Sequence, residues 1–367
     1  MRRIAIVGAG IGGLTAAIAL TRGDVECVVV EQRPALGVDE GTGIQISPNA
    51  GAELLDLGVS LDSAVPAGHR ELRRWQDDRV LGHTDLSRYA VPYLTMPRGA
   101  LIGSLRKAAG RTRVILGRRC VAVRDDGTSV VLGFDDGTAG RFDAVVGADG
   151  LRSVVRGLTG SHTPRHSGLV AGRAVLPRRA ASRFVETDRV VVWLGPGRHC
   201  VTYPISRDHV NLVVVGPSFV FDGWHPSVRG LIALAGPMRP RPLYDLPPLP
   251  FWQHGRVVLI GDAAHPILPF IAQGAAQAVE DAVTLAGCRD LADLQALREE
   301  RIRKVYAMSR AGLRVHHLPD GAEQRIRDRA LAAARPDAHD WLYGHRVAAS
   351  LRRSSDTSST RDERPSF

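Results

Sequence analysis

One stretch near the start constrains the fold more than any other. Residues 4–7, IAIV, form a short apolar run, GAGIGG follows at 8–13, residues 14–20 suit a helix, and a second apolar run at 25–30 ends at Glu31. Gly8, Gly10 and Gly13 match G-x-G-x-x-G, with Gly12 a further small residue in the same turn. Glycine there lets the chain turn tightly from strand to helix and lets a phosphate approach the unpaired N–H groups of the helix start. An acid about twenty residues on, here Glu31, is placed to accept hydrogen bonds from ribose hydroxyls. In a chain with 39 glycines the glycine spacing alone is a weak signal. Strand, helix and acid around it make a dinucleotide-binding α/β unit the expected reading.

The fingerprint does not separate NAD from FAD. Two further stretches do. Residues 143–156, DAVVGADGLRSVVR, read as a strand ending in Asp149-Gly150 and a helix beginning near Ser153. Residues 257–282, VVLIGDAAHPILPFIAQGAAQAVEDA, read as a strand ending in Gly261-Asp262, a turn, and an alanine-rich helix. An NAD dehydrogenase needs one nucleotide half in this fold, whereas here ligand-holding elements recur far along the chain.

Together the three stretches resemble the single-component FAD-dependent aromatic hydroxylases, the group A flavoprotein monooxygenases, and within them the salicylate and 6-hydroxynicotinate branch. The likeness covers about residues 1–345. It implies a Rossmann-like, 4-hydroxybenzoate hydroxylase-like FAD domain with an inserted antiparallel β-sheet for the substrate and a C-terminal helix. It also implies roles: Glu31 on the ribose, Arg33 and Arg98 as further FAD contacts, Asp149 and Gly150 serving both FAD and NAD(P)H, and Asp262 holding the ribityl chain. The N–H groups around Gly274 and Ala275 would face the pyrimidine end of the flavin, where a helix start favours negative charge. The implied reaction uses NADH or NADPH and O2 to hydroxylate a small phenolic or heteroaromatic acid-like substrate through a flavin C4a-hydroperoxide.

The expected domains are 1–69, 98–165 and 255–345 for FAD, with 70–97 and 166–254 as the substrate sheet and 348–367 as a disordered tail. RVVVWLGP, HCVTYPI and HVNLVVVGP read as antiparallel strands. Period-two alternation puts His199, Val201 and Tyr203 on one face, so a base and a phenol would meet the substrate if that face looks at the flavin. An edge histidine and a core tyrosine explain the same residues. The family has a His and a Tyr at this spacing, which favours a catalytic pair. Gln273 is placed to hydrogen-bond a ring substituent, with Gln45 a weaker candidate. His265 is expected to shape its turn, and His316-His317, after an arginine-rich helix at about 290–313, to lie on a solvated face or a subunit contact.

Composition closes off other classes. The chain carries a net charge of +10, but its basic residues are almost all arginine and are spread along its length, with Lys107 and Lys304 the only lysines. Nucleic-acid binding is not expected without a motif. Cys27, Cys120, Cys200 and Cys288 are too scattered for a zinc or disulfide framework. No metal site, no membrane span and no secretory leader are expected; a cytoplasmic location and a monomer or homodimer are the expectations. Two readings stay open beside hydroxylation: a flavoenzyme of the same fold performing epoxidation, Baeyer–Villiger oxidation or reduction, and a flavin-binding protein without turnover.

Overall fold

The computed structural model describes residues 3–23, 25–37, 42–160 and 162–348. The expected tail lies outside the described residues from 349 onward. A six-stranded sheet runs in the order Gln253–His254, Val257–Leu259, Ala144–Gly147, Arg3–Val7, Glu26–Val30, Arg113–Ile115. Every pairing is parallel except the one made by the edge strand Gln253–His254. Parallel strands covered on both faces read as unbroken apolar runs, and Val28, Val29, Val145, Val146 and Val258 are all buried.

The helices Ile11–Thr21 and Gly274–Gly287 lie close together beside this sheet. A Cβ on Gly12 would stand 3.1 Å from the Ala278 Cβ, and one on Gly261 would stand 2.9 Å from the same atom. The carboxyl ends of the parallel strands therefore share one rim with two helix starts, the crevice where open α/β sheets hold ligands. The segment expected to begin a helix near Ser153 makes only a short 3-10 turn, Val155–Thr159.

A second sheet of seven strands runs in the order Arg241–Asp245, Arg165–Pro177, His209–Gly216, Arg198–Pro204, Val190–Gly195, His69–Arg74, Val80–Asp85. It is antiparallel except where Val190–Gly195 pairs with His69–Arg74. Its two faces separate by alternation. Trp193, Cys200, Leu212 and Val214 pack together with the helix Pro226–Ala235, while Val201, Tyr203 and Val213 belong to a different cluster on the other face. Leu94–Pro97 does not join this sheet, although it falls within the 70–97 insertion; it pairs with Gly43–Ile46 and Val65–Pro66. The small sheet passes close to the large one at Gly43. A Cβ there would lie 2.6 Å from Ile205 and 2.9 Å from Tyr203, so only glycine lets its strand cross this close to the large sheet.

The long helix Asp293–Val315 packs against the turn Pro269–Ile271. Arg298 and Arg301 point inward from it onto Glu280, which also accepts from the Asn49 amide at 2.6 Å. Paired charges of this kind are tolerated inside a protein because each donor and acceptor is satisfied.

Candidate active site

The glycine loop opens on a cavity of about 500 Å3 lined by Gly8, Gly10, Glu31, Arg33, Arg98, Asp149 and Gly150. The loop has no room for side chains on its inner side: a Cβ on Gly8, at φ +104°, would lie 2.4 Å from the Ala148 carbonyl oxygen, and one on Gly13 would lie 1.9 Å from that of Gly8. Around Gly10 nothing stands within 4 Å, which leaves its backbone open to approach. The Glu31 carboxylate accepts the Ala9 N–H at 2.8 Å and the Arg33 N–H at 2.9 Å, so it organises the loop from below. Asp149 accepts from the Ser153 hydroxyl at 2.5 Å and from the N–H groups of Val154 and Val155 at 2.7 and 3.2 Å. Burial raises its carboxyl above the ordinary aspartate range, with these hydrogen bonds opposing the shift.

A second cavity, of about 440 Å3, shares Gly10, Arg98, Ala148 and Gly150 with the first, so a single cleft runs from the glycine loop toward the large sheet. On one side lie Gly12, Asp262, Gly274 and Ala275; on the other lie Arg173, His199, Val201 and Tyr203, with Gln45 beside them. The Asp262 turn is built for this position. Gly261 takes φ +56° and gives its N–H to Asp281 at 2.9 Å, and Arg156 donates to the Ala263 carbonyl at 2.9 Å. His265 ties the same turn down through Asp281 at 2.6 Å, a shaping role. The Asp262 carboxylate is left open to the cavity, and the dense chain around it raises its pKa, with His265, Arg98 and Arg156 opposing. A carboxylate so placed is ready to accept hydroxyl hydrogen bonds. The helix Gly274–Gly287 starts beside it, a Gly274 Cβ standing 3.9 Å from Asp262 Oδ1.

His199 and Tyr203 do share a face and line the cavity. Burial keeps the Tyr203 phenol well above its ordinary range, against the pull of Arg173 and Gln45. Gln45 is itself held by the Tyr93 hydroxyl, which donates to its Oε1 at 2.8 Å. His199 is 4% exposed, and burial together with His316 and His317 holds its pKa well below the ordinary histidine value. The ring is therefore neutral and carries a lone pair at physiological pH.

Gln273 and the His316-His317 pair lie elsewhere than their sequence positions suggest. Gln273 does not reach the cavity: it is fully buried, donating to Ser47 Oγ at 2.9 Å and accepting from Asn49 at 3.2 Å and Gln277 at 3.0 Å. It holds the helix start that follows it rather than a ligand. His316 and His317 do not form a solvated face, because the end of the long helix folds back under His199. The His317 Nε2 lies 2.7 Å from His199 Nδ1, and the Phe270 ring stands edge-on to His199 and to His317, 5.5 Å from each. Arg173 went unnoticed in the sequence; its place in a strand that alternates toward the same face as His199 was the available signal. Among the described residues no group of three or more metal-binding side chains converges, and no helix is long and apolar enough to cross a membrane.

Known proteins share this layout. A family model described as an NAD(P)-binding Rossmann-like domain matches residues 6–61, and one described as an FAD binding domain matches residues 250–304. The 3-amino-4-hydroxybenzoate 2-monooxygenase of Streptomyces cremeus is 38% identical over 375 residues, covering 93% of this chain and 95% of its own. The 6-hydroxynicotinate 3-monooxygenase of Bordetella bronchiseptica is 33% identical over 360 residues, covering 87% of this chain and 94% of its own. Among solved structures, Klebsiella pneumoniae HpxO complexed with FAD and uric acid matches with a TM-score of 0.81 at 24% identity, covering 97% of this chain and 96% of its own. A salicylate hydroxylase substrate complex matches at 0.79 and 23% identity, covering 96% and 97%. The solved structures speak for the fold, and the closer relatives for the family.

Proposed function

The chain belongs to the FAD-dependent aromatic monooxygenases, and from that premise we propose that it uses NAD(P)H and O2 to hydroxylate a small aromatic carboxylate already bearing a ring hydroxyl. The observation that carries this reading is that Arg173, His199 and Tyr203 open into the same cavity as Asp262, Gly274 and Ala275. Bound FAD supplies the redox chemistry and an electrophilic oxygen; the protein supplies position, exclusion of water and proton handling.

Gly8, Gly10 and Gly13 would seat the diphosphate on the start of the helix Ile11–Thr21, Glu31 the ribose, and Asp262 the ribityl hydroxyls. The seven-stranded sheet, drawn largely from segments 70–97 and 166–254 but without Leu94–Pro97, would close over the substrate. The Arg173 guanidinium suits a carboxylate, which charge and planar geometry both favour. The relatives named above act on a hydroxybenzoate and a hydroxynicotinate. Tyr203, kept protonated by burial, would donate to or relay from the substrate hydroxyl, and neutral His199 would accept the proton that leaves it. Removing that proton enriches the ring for attack.

The test is coupling. His199→Gln and Tyr203→Phe are expected to keep FAD and its reduction by NAD(P)H, yet to form less product per NAD(P)H consumed, with the balance appearing as hydrogen peroxide. Loss of a positioned base slows such a step by roughly 10² to 10⁴. The loss should shrink on substrates already ionised at the assay pH. Full coupling in both variants would return the pair to a packing role.

A further inference from the structure

We propose that His317, backed by the Leu313 carbonyl, is a positioning residue that fixes the tautomer of His199 and keeps its Nε2 unprotonated on the cavity side. A carbonyl oxygen only accepts, so His317 Nδ1, 2.7 Å from the Leu313 oxygen, carries a proton and donates it. In a neutral ring the other nitrogen then holds a lone pair, so His317 Nε2 accepts. His199 Nδ1, 2.7 Å away, must be the donor. Its own neutral ring leaves Nε2 as the bare nitrogen. That atom is the ring nitrogen that His317 does not engage, and His199 lines the cavity.

The surroundings keep both rings neutral and in place. Burial lowers the pKa of His317 and His199 alike. The His316 ring, 5.4 Å from that of His199, is pushed down to about 3 by burial, His317, Arg70 and Arg327, so it brings no positive charge of its own. On the same side of the cavity as His199 stand Arg173 and the protonated Tyr203. The backbone holds His317 in reach: its N–H closes on the Arg314 carbonyl at 3.1 Å, and Gly312 sits where a Cβ would lie 2.8 Å from Phe270. A larger residue at 312 would push the helix end off the ring that clamps both imidazoles. The second ring nitrogen of a functional histidine sets which tautomer the first presents; here another histidine and a main-chain carbonyl play that part.

The proposal's catalytic consequence rests on the hydroxylation reading, but its structural content does not, and the experiment keeps the two apart. FAD-loaded protein labelled with 15N-histidine is examined by long-range 1H–15N correlation, the His199 ring being assigned by its loss in His199→Gln. The expected wild-type pattern is a protonated Nδ1 and a bare Nε2. His317→Leu, which offers no acceptor, should mix or invert that pattern and lower product per NAD(P)H by roughly three- to tenfold, the population shift expected for one lost neutral hydrogen bond. FAD retention and flavin reduction should not change. His317→Gln, whose side chain accepts from His199 and donates to Leu313, should restore the pattern and the coupling. A wild-type His199 protonated at Nε2, or an unaltered pattern in His317→Leu, would overturn the proposal. The ring signals decide it whether or not any aromatic is turned over.

Discussion

Replacing Glu31 by alanine tests the cofactor reading at the point where the structure is most explicit. Glu31 is 9% exposed, and its carboxylate holds two main-chain donors, Ala9 N–H at 2.8 Å and Arg33 N–H at 2.9 Å, before any ribose arrives. Truncation unpairs both. Because they border the cleft, water replaces the carboxylate in part, and the cost to the FAD-free protein falls near the lower end of the range for unsatisfied groups, about 1 kcal/mol each. Cofactor binding suffers more. The lost charge-assisted hydrogen bonds to ribose are worth about 1.5 to 3 kcal/mol, or roughly ten- to hundredfold in dissociation constant. Glu31→Gln should fall between, since its single carbonyl serves one donor while its amide faces the other. Titrating deflavinated protein with FAD and following flavin fluorescence measures this directly. A Glu31→Ala variant that binds FAD within about twofold of wild type, set against that expected loss, would refute the assignment of the acid to the ribose.

Asp262→Asn is expected to weaken FAD binding while raising the melting temperature of the FAD-free protein at neutral pH. Its folded pKa is raised by burial, so the unfolded chain ionises first and stability is lost as pH rises through that interval; equal melting temperatures would contradict this. Gln273→Ala should destabilise the protein by about 1 to 3 kcal/mol in denaturant unfolding, by unpairing Ser47, Asn49 and Gln277, with no change in the KM for the aromatic substrate. Glu280→Ala leaves the buried Arg301 guanidinium without its acid and Arg298 with Asp281 alone, and should cost about 3 to 5 kcal/mol. The Glu280 carboxyl lies at about 2 rather than near 4.5, because Arg298 and Arg301 outweigh its burial, so its contribution is present above pH 4.5 and lost as pH falls toward 2. Acid titration of the variant should lack that component.

The glycine loop was legible because its cause is local. Gly8 and Gly13 are required by main-chain atoms within a few ångströms, and such crowding leaves a spacing in the sequence. The shared face of His199, Val201 and Tyr203 was legible for the same reason, since strand alternation needs no knowledge of the rest of the chain. Gln273 was misread because nearness along the chain to the Asp262 turn does not say where a side chain points; the start of the helix Gly274–Gly287 directs it inward to Ser47. His317 was misread because it follows a polar, arginine-rich helix, and only the packing of that helix end on Phe270 turns it toward His199. Contacts between residues 118 positions apart have no local signature.

On the proposed function, the cleft beneath His199, Tyr203 and Arg173 places an aromatic carboxylate where oxygen is transferred to its ring. The most direct measurement supplies 18O2 and NAD(P)H to FAD-loaded protein with a panel of hydroxylated aromatic and heteroaromatic acids, and analyses products by mass. The expected result is, for at least one acid, a product carrying one 18O atom, formed in near proportion to NAD(P)H consumed, and lost when the carboxylate is replaced by a neutral group or when Arg173 is changed to Leu. Consumption of NAD(P)H that ends in hydrogen peroxide for every acid, or product whose new oxygen comes from water, would contradict it.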